Sequence, residues 1–125
     1  MRKSGAIVVT LDKDSRVLLL QRSPGDYWAA GQWAYPGGKF EGNETPRQAA
    51  IRETKEETTL IVNNLKKIKL SLDNPVTAYY TRDYSGEVKI DFEHTAWAWV
   101  TREEIENYDL APDTLDLYEW VLNNG

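Results

Sequence analysis

Three glutamates, Glu53, Glu56 and Glu57, stand at i, i+3 and i+4 in a chain of 125 residues. On an α-helix that spacing sends all three carboxylates from one side. Like charges four residues apart cost a helix about 0.2–0.5 kcal/mol, and the Arg52–Glu56 pair runs in the less favourable order for the dipole. Local helix stability therefore does not account for the cluster. A divalent cation does, because several carboxylate oxygens on one rigid face suit a hard ion such as Mg²⁺ or Mn²⁺. The alternative is a solvated acidic face, which is what most charge clusters are. Gly37 and Gly38 lie just before this segment and let the backbone come close to a ligand. Glu41 and Glu44 lie between them and the cluster and add two more carboxylates. A glycine turn against an acid-lined helix makes a cradle for a metal-bound polyphosphate.

The rest of the composition narrows the chemistry. The chain has no Cys, which removes disulfides, thiolate nucleophiles and Cys-based zinc sites, and one His, which removes a His-rich metal centre. Any metal must be held by oxygen. The formal net charge of -5 argues against the basic footprint of a nucleic-acid partner. Five Trp and seven Tyr exclude a disordered polar chain. No apolar run approaches the ~20 residues that span a bilayer, so no membrane association is expected. The first apolar stretch breaks at Asp12 without a small-residue cleavage site, so no signal peptide is read and a cytoplasmic location is expected. The length predicts a single domain over 1–125.

Elements must position the acids. Residues 45–58 read as a helix: Thr45 is a good N-cap, Pro46 suits the first helical position and Gln48 completes a capping box. Residues 6–11 and 17–22 read as a hairpin turning through 12–15, and 23–31 as a loop broken by Pro24 and Gly25. Ile68, Leu70 and Leu72 alternate like a half-buried strand, 76–82 and 88–90 like a strand pair turning at Ser85-Gly86, and 95–100 like a further strand. Thr101 and Glu104 form a second capping box, and Pro112 opens a last helix whose Leu115, Tyr118 and Leu122 share a face. Strands and helices interleave around one core, which predicts an α/β fold of mixed α+β type.

The stretch from Gly38 to Leu60 resembles the Nudix box: Gly, five residues, Glu, seven residues, Arg-Glu, an aliphatic residue, any residue, Glu-Glu, any residue, Gly, an aliphatic residue. Gly38, Glu44, Arg52, Glu53, Glu56, Glu57 and Leu60 match; Thr54 stands in place of the aliphatic residue and Thr59 in place of the closing Gly. Such a match at fixed spacing is far more specific than a lone glycine motif. Residues 17–22 followed by 31–39, and Trp99-Val100 followed by Glu103-Glu104-Ile105, are similar to other parts of the family. The resemblance implies a mixed sheet sandwiched between helices. It implies hydrolysis of a nucleoside diphosphate linked to another group, by water attack on phosphorus assisted by Mg²⁺ or Mn²⁺. Carried over, Glu53, Glu56 and Glu57 are the metal ligands, with a backbone carbonyl at Gly37 or Gly38. Glu53 is the general base, Arg52 orients it, and Glu57 is counted with them in catalysis. Gly38 and Glu44 are placed near substrate or ligand, while Glu41 reads as structural. A (d)NTP or modified nucleotide is the expected substrate. A nucleotide-sugar hydrolase is the alternative, and so is a non-catalytic binding module of the same fold, although that module would be expected to lose acids this chain keeps.

Arg22 is a candidate for a substrate phosphate. Trp28, with Tyr27, Trp33, Tyr79 and Tyr80, is a candidate to stack on a base. In Asp91-Phe92-Glu93-His94, strand alternation places Glu93 and His94 on opposite sides. Glu93 is preferred toward the metal because a hard cation favours carboxylate oxygen. The oligomeric state is left open.

Overall fold

A computed structural model of the chain describes residues 3–125. The strands are β1 (Gly5–Thr10), β2 (Val17–Arg22), β3 (Trp33–Ala34), β4 (Gly37–Lys39), β5 (Ile61–Asn63), β6 (Lys66–Lys67), β7 (Val76–Thr81), β8 (Asp83–Ser85) and β9 (His94–Val100). The helices are α1 (Pro46–Thr58) and α2 (Thr114–Asn124), with a 3₁₀ turn at Glu104–Asn107. The strands form a four-stranded sheet in the order β4-β1-β7-β6, a three-stranded sheet β3-β2-β9 and a pair β5-β8.

The expected hairpin does not form. β1 and β2 belong to different sheets, and the antiparallel pairing between these segments is limited to the isolated bridge Leu11–Val17 just beyond β1. β1 instead runs parallel to β7, Gly5 opposite Val76 through Thr10 opposite Thr81. The reason is visible in β1 itself, which is buried along nearly its whole length. Ala6 and Val8 pack with Ala49, Ala50 and Val62 on the α1 side, while Ile7, Val9 and Leu11 pack with Leu19, Leu117 and Val121 on the α2 side. A strand covered on both faces belongs in the middle of a sheet, and a near-continuous apolar run is its sequence signature. The mixed sheet between helices that the box implies is the one observed.

Other expectations shift in detail. Only Lys66–Lys67 of the 66–72 region joins a ladder. Ile68 still donates to the Ala78 carbonyl at 2.8 Å, and Leu70 and Leu72 pack on the core without strand geometry. Residues 88–90 do not pair with β7, whose ladder partners are β1 and β6, and β8 pairs with β5. The 88–91 segment turns to α1: the Lys89 amide donates to the Thr58 carbonyl at 2.9 Å and the Asp91 amide to the Glu57 carbonyl at 3.3 Å. These bonds satisfy carbonyls that the end of a helix leaves without partners. The last helix starts at Thr114 rather than Pro112, and its buried face is Leu117, Tyr118 and Val121, with Leu122 exposed. The bonds of the second capping box are made, at 3.0 and 3.1 Å, but around a 3₁₀ turn. No helix among the described residues is long and apolar enough to cross a membrane.

α1 is fixed at both ends. The Thr45 amide donates to the Gln48 side chain at 2.9 Å and the Gln48 amide to the Thr45 hydroxyl at 3.1 Å. At the other end Thr59 occupies the glycine position of the box in the left-handed region, at φ 65°. Its amide caps the Lys55 carbonyl and its hydroxyl donates to the Glu87 carbonyl, a bond a glycine would not make. Thr54, the other departure, is fully buried beneath the helix, and its hydroxyl has no hydrogen-bond partner. A buried unpaired hydroxyl costs about 1–3 kcal/mol. Thr54→Val keeps the shape and removes the hydroxyl. It should raise the melting temperature by roughly 3–5 °C, the shift that about 1 kcal/mol produces in a domain of this size. Thermal denaturation of the two proteins checks this, and an unchanged or lower melting point refutes it.

Candidate active site

The α1 acids descend in a gradient of depth. The Glu56 side chain is 50% exposed, that of Glu53 is 18% exposed, and Glu57 is 7% exposed. The helix brings them together as the spacing predicts, and β4 lies against them. The Gly37 amide donates to Glu57 Oε1 at 2.9 Å. Gly37 and Gly38 form strand β4 rather than a turn. A Cβ on Gly37 would lie 2.7 Å from Ile7 Cα, and one on Gly38 would lie 2.5 Å from Glu53 Cδ and Oε2. The first glycine lets β4 sit against β1, and the second leaves the space in which the Glu53 carboxylate stands.

Arg52 ties the group together. Its Nε donates to Glu44 Oε2, and its Nη2 donates to Glu44 Oε1 at 2.9 Å and the Lys39 carbonyl at 3.0 Å. Its Nη1 donates to Glu53 Oε1 and to Glu56 Oε1, each at 2.7 Å. Neighbours on a helix do not face each other, so the long side chain curls to reach Glu53. The hydrogen bond from Arg52, then that from the Glu41 amide, holds the Glu44 carboxyl below its ordinary range. Burial raises Glu53, against the pull of Arg52. Burial also pushes Glu57 up to about 9, against the Gly37 bond, and the charges of Glu53, Asp91 and Glu93 push the same way.

The 88–91 segment that caps α1 delivers Asp91 to this place. One ligating atom each from Glu57, Asp91 and His94 fall within 4.8 Å of one another. His94 Nδ1 lies 2.8 Å from Asp91 Oδ1, and the His94 side chain is nearly buried. Glu93 is exposed and lines the cavity beside the acids. Asp91 was not singled out from the sequence, although an acid three residues before the one His was there to be read.

The acids open into a cavity of about 560 Å³. Of the sequence candidates, Gly37, Gly38, Glu53, Glu56, Glu57, Glu93, Arg22 and Trp28 line it. Glu44 does not; it serves Arg52 from behind, while Glu41 does line the cavity. Arg22 is occupied: it donates to the Trp28 carbonyl at 2.8 Å and to Asp26 at 2.7 Å, with its guanidinium 4.9 Å from the Trp28 ring centre. Tyr27 lines the rim, 85% exposed. Trp33 meets Tyr108 edge-on, Tyr79 is core, and Tyr80 packs against Trp120, so none of these three lines the cavity.

These residues fit a hard divalent cation. Almost every donor on the helix side is a carboxylate oxygen, and Glu57 is a buried acid that takes up a proton and becomes neutral unless a cation compensates its charge. The Glu57 pKa is raised in the folded state, so its contribution to stability is fully present below the unfolded value near 4.5. It is lost as pH rises toward 9. Without added metal, the protein should lose about 1.4 kcal/mol of stability per pH unit from this group across pH 5 to 8. Glu57→Gln should abolish that loss, and millimolar Mg²⁺ or Mn²⁺ should raise the melting point of the natural protein far more than that of the variant. Melting curves over pH with and without metal check both; equal slopes in the two proteins would refute the assignment.

The family model for the NUDIX domain matches residues 1–121. The chain is similar to the CTP pyrophosphohydrolase of Escherichia coli, 29% identical over 126 residues that cover 95% of this chain and 91% of that protein. It is also similar to the 8-oxo-dGTP diphosphatase of Proteus vulgaris, 49% identical over 49 residues, which is 39% of this chain and 43% of that one. The fold matches a MutT NUDIX hydrolase from Burkholderia pseudomallei at a TM-score of 0.84 and 23% identity, over 97% of this chain and 98% of that one. With a match that takes in both the acid-bearing helix and the strands that face it, the chain belongs to the Nudix hydrolase family.

Proposed function

We propose that the protein is a Mg²⁺- or Mn²⁺-dependent pyrophosphohydrolase of a nucleoside triphosphate or a modified nucleotide. One observation carries the reading: a graded set of carboxylates, braced by Arg52, opens into a cavity large enough for a small ligand and walled elsewhere by a mixture of apolar and polar side chains. The named activities of the CTP and 8-oxo-dGTP relatives support it.

Glu53, Glu56 and Glu57, with the Gly37 carbonyl, are assigned to hold the cation. When bound, the cation neutralises diphosphate charge and lowers the pKa of water. Glu53 is assigned as general base. Arg52 engages its Oε1, so Oε2 is the atom that takes a proton from the attacking water. Partial burial lifts this carboxyl toward neutrality, where a base is most effective. The water oxygen bonds to phosphorus, the bridging P–O bond breaks, and the electron pair leaves with the departing phosphate group. Gly38 supports this by leaving room for Glu53, and Glu44 by fixing Arg52. Arg22 holds both Trp28 and Asp26, and all three line the cavity, where Arg22 and Trp28 would meet an anionic or aromatic part of the substrate.

Phosphate and pyrophosphate release from a nucleotide panel, with and without Mg²⁺, tests the reading. Turnover should need the metal and fall by at least ~10²-fold in Glu53→Gln, the scale of a lost general base. Gly38→Ala should also depress turnover while leaving the melting point nearly unchanged, because its Cβ displaces a flexible carboxylate rather than backbone. Metal-independent release, or full activity in Glu53→Gln, would refute the assignment.

A further inference from the structure

Among the described residues that line the cavity, only Arg22 and Lys39 carry a fixed positive charge, and acids far outnumber them. Arg22 is anchored through its inner side: Nε donates to the Trp28 carbonyl at 2.8 Å, and the guanidinium lies 4.9 Å from the centre of the Trp28 ring. On the outer edge of the fork, Nη2 donates to Asp26 Oδ2 at 2.7 Å, while Nη1 has no hydrogen-bond partner among the described residues. Two parallel N–H groups of a guanidinium can take two phosphate oxygens side by side. The ion pair is sheltered, with 22% of the Arg22 side chain and 21% of the Asp26 side chain exposed. The loop that carries Asp26 has other bonds to keep its shape. The Asp26 amide donates to the Ser23 carbonyl at 3.1 Å, the Gly31 amide to the same carbonyl at 3.3 Å, and the Gln21 side chain to the Gly31 carbonyl at 3.1 Å. The Asp26 carboxylate thus adds an acid to a cavity already rich in them, on a cation that an anionic ligand would need.

We propose that Asp26 holds the place of a phosphate group: its carboxylate occupies the outer edge of Arg22 in the free protein and gives way when a polyphosphate enters. The proposal rests on the nucleotide reading above and adds to it a residue that sets affinity. A carboxylate and a phosphate are both acceptors of the same sign, so the Nη1–Nη2 edge cannot serve both at close range. Nε and the Trp28 ring keep the guanidinium in position through the exchange, so only the acid has to move. Asp26 sits on a loop whose neighbouring Pro24, Gly25 and Tyr27 are exposed, which leaves the released carboxylate a path to water. In the free protein the edge is open only in the fraction of molecules whose Asp26 has swung away, and the apparent affinity for an anion is reduced by that fraction. Asp26 is then a competitor built into the wall of the site rather than a brace for the loop. The two roles predict opposite effects when its charge is removed.

Calorimetric binding of inorganic tripolyphosphate in excess Mg²⁺ tests this without turnover. Asp26→Asn should bind it about three- to tenfold more tightly than the natural protein, as expected when a competing minor-state population is removed. In an Arg22→Gln background the same substitution should give no gain, because the coupling runs through that pair. For any nucleotide that is hydrolysed, KM should fall in Asp26→Asn with kcat unchanged. Equal or weaker binding would make Asp26 a brace and overturn the proposal. A gain that persists in the Arg22→Gln background would also overturn it, since the charge would then act through the general field of the cavity. The natural protein gives a second reading: the Asp26 side-chain carboxyl carbon should shift in NMR spectra as Mg²⁺ tripolyphosphate reaches saturation. An unmoved resonance refutes the exchange, and this reading decides alone where a melting curve shows that a variant has lost its fold. Hydrolysis of nucleotides without the gain in binding sinks the Asp26 proposal only. The gain without hydrolysis of any nucleotide keeps it and sinks the hydrolase reading, and neither hydrolysis nor binding sinks both.

Discussion

The guanidinium of Arg52 is the point on which the site depends. Among the described residues it is the one group that neutralises several of the carboxylates crowded onto this helical face, and it does so with donors in a fixed plane. Its bonds also leave the helix: Glu44 and the Lys39 carbonyl belong to the segment between β4 and α1. The spacing between the glycine strand and the acids is therefore set by the same side chain that relieves their repulsion. A lysine offers a single ammonium in place of the planar fork and cannot hold Glu44, Glu53, Glu56 and a carbonyl at once.

Depth then separates acids that the sequence presents as equals. Glu56 is wet, Glu53 is half-sheltered and bound to Arg52, and Glu57 is sealed against β4, where it accepts the Gly37 amide. The ends of α1 deliver the remaining wall. Carbonyls left open at its C-terminus take the amides of Lys89 and Asp91, so ordinary helix termination also places a further acid and the one His beside Glu57.

The acid cluster, its helix and both ends of its capping box were legible, because each rests on local spacing. The box resemblance supplied the two-faced sheet, and the burial of β1 explains it. What failed was partner choice. Residues 6–11 and 17–22 look like a hairpin because they are adjacent and apolar, yet adjacency says nothing of which sheet each joins. Residues 88–90 have strand-like alternation, but the Lys89 amide serves a helix end. Asp91 went unread because its role depends on that contact. The two departures from the box divide: Thr59 gains a bond at its strained position, while the Thr54 hydroxyl gains nothing.

The parallel pairing of β1 with β7 bears on how the protein comes to be folded. Gly5 lies beside Val76 and Val17 beside Val100, so both main sheets close large loops before they return any stabilisation. Chains dominated by such distant pairings fold slowly compared with helical ones. α1 needs only its own caps to begin, but the strand that supplies Gly37 and the segment that supplies Asp91 lie on either side of it in the chain. During synthesis the acids follow the strand that supplies Gly37 but exist long before the segment that supplies Asp91. A nascent chain released too early would carry an exposed, strongly negative helix with nothing to bury Glu57, and the affinity for a cation would emerge only with the last strand in place.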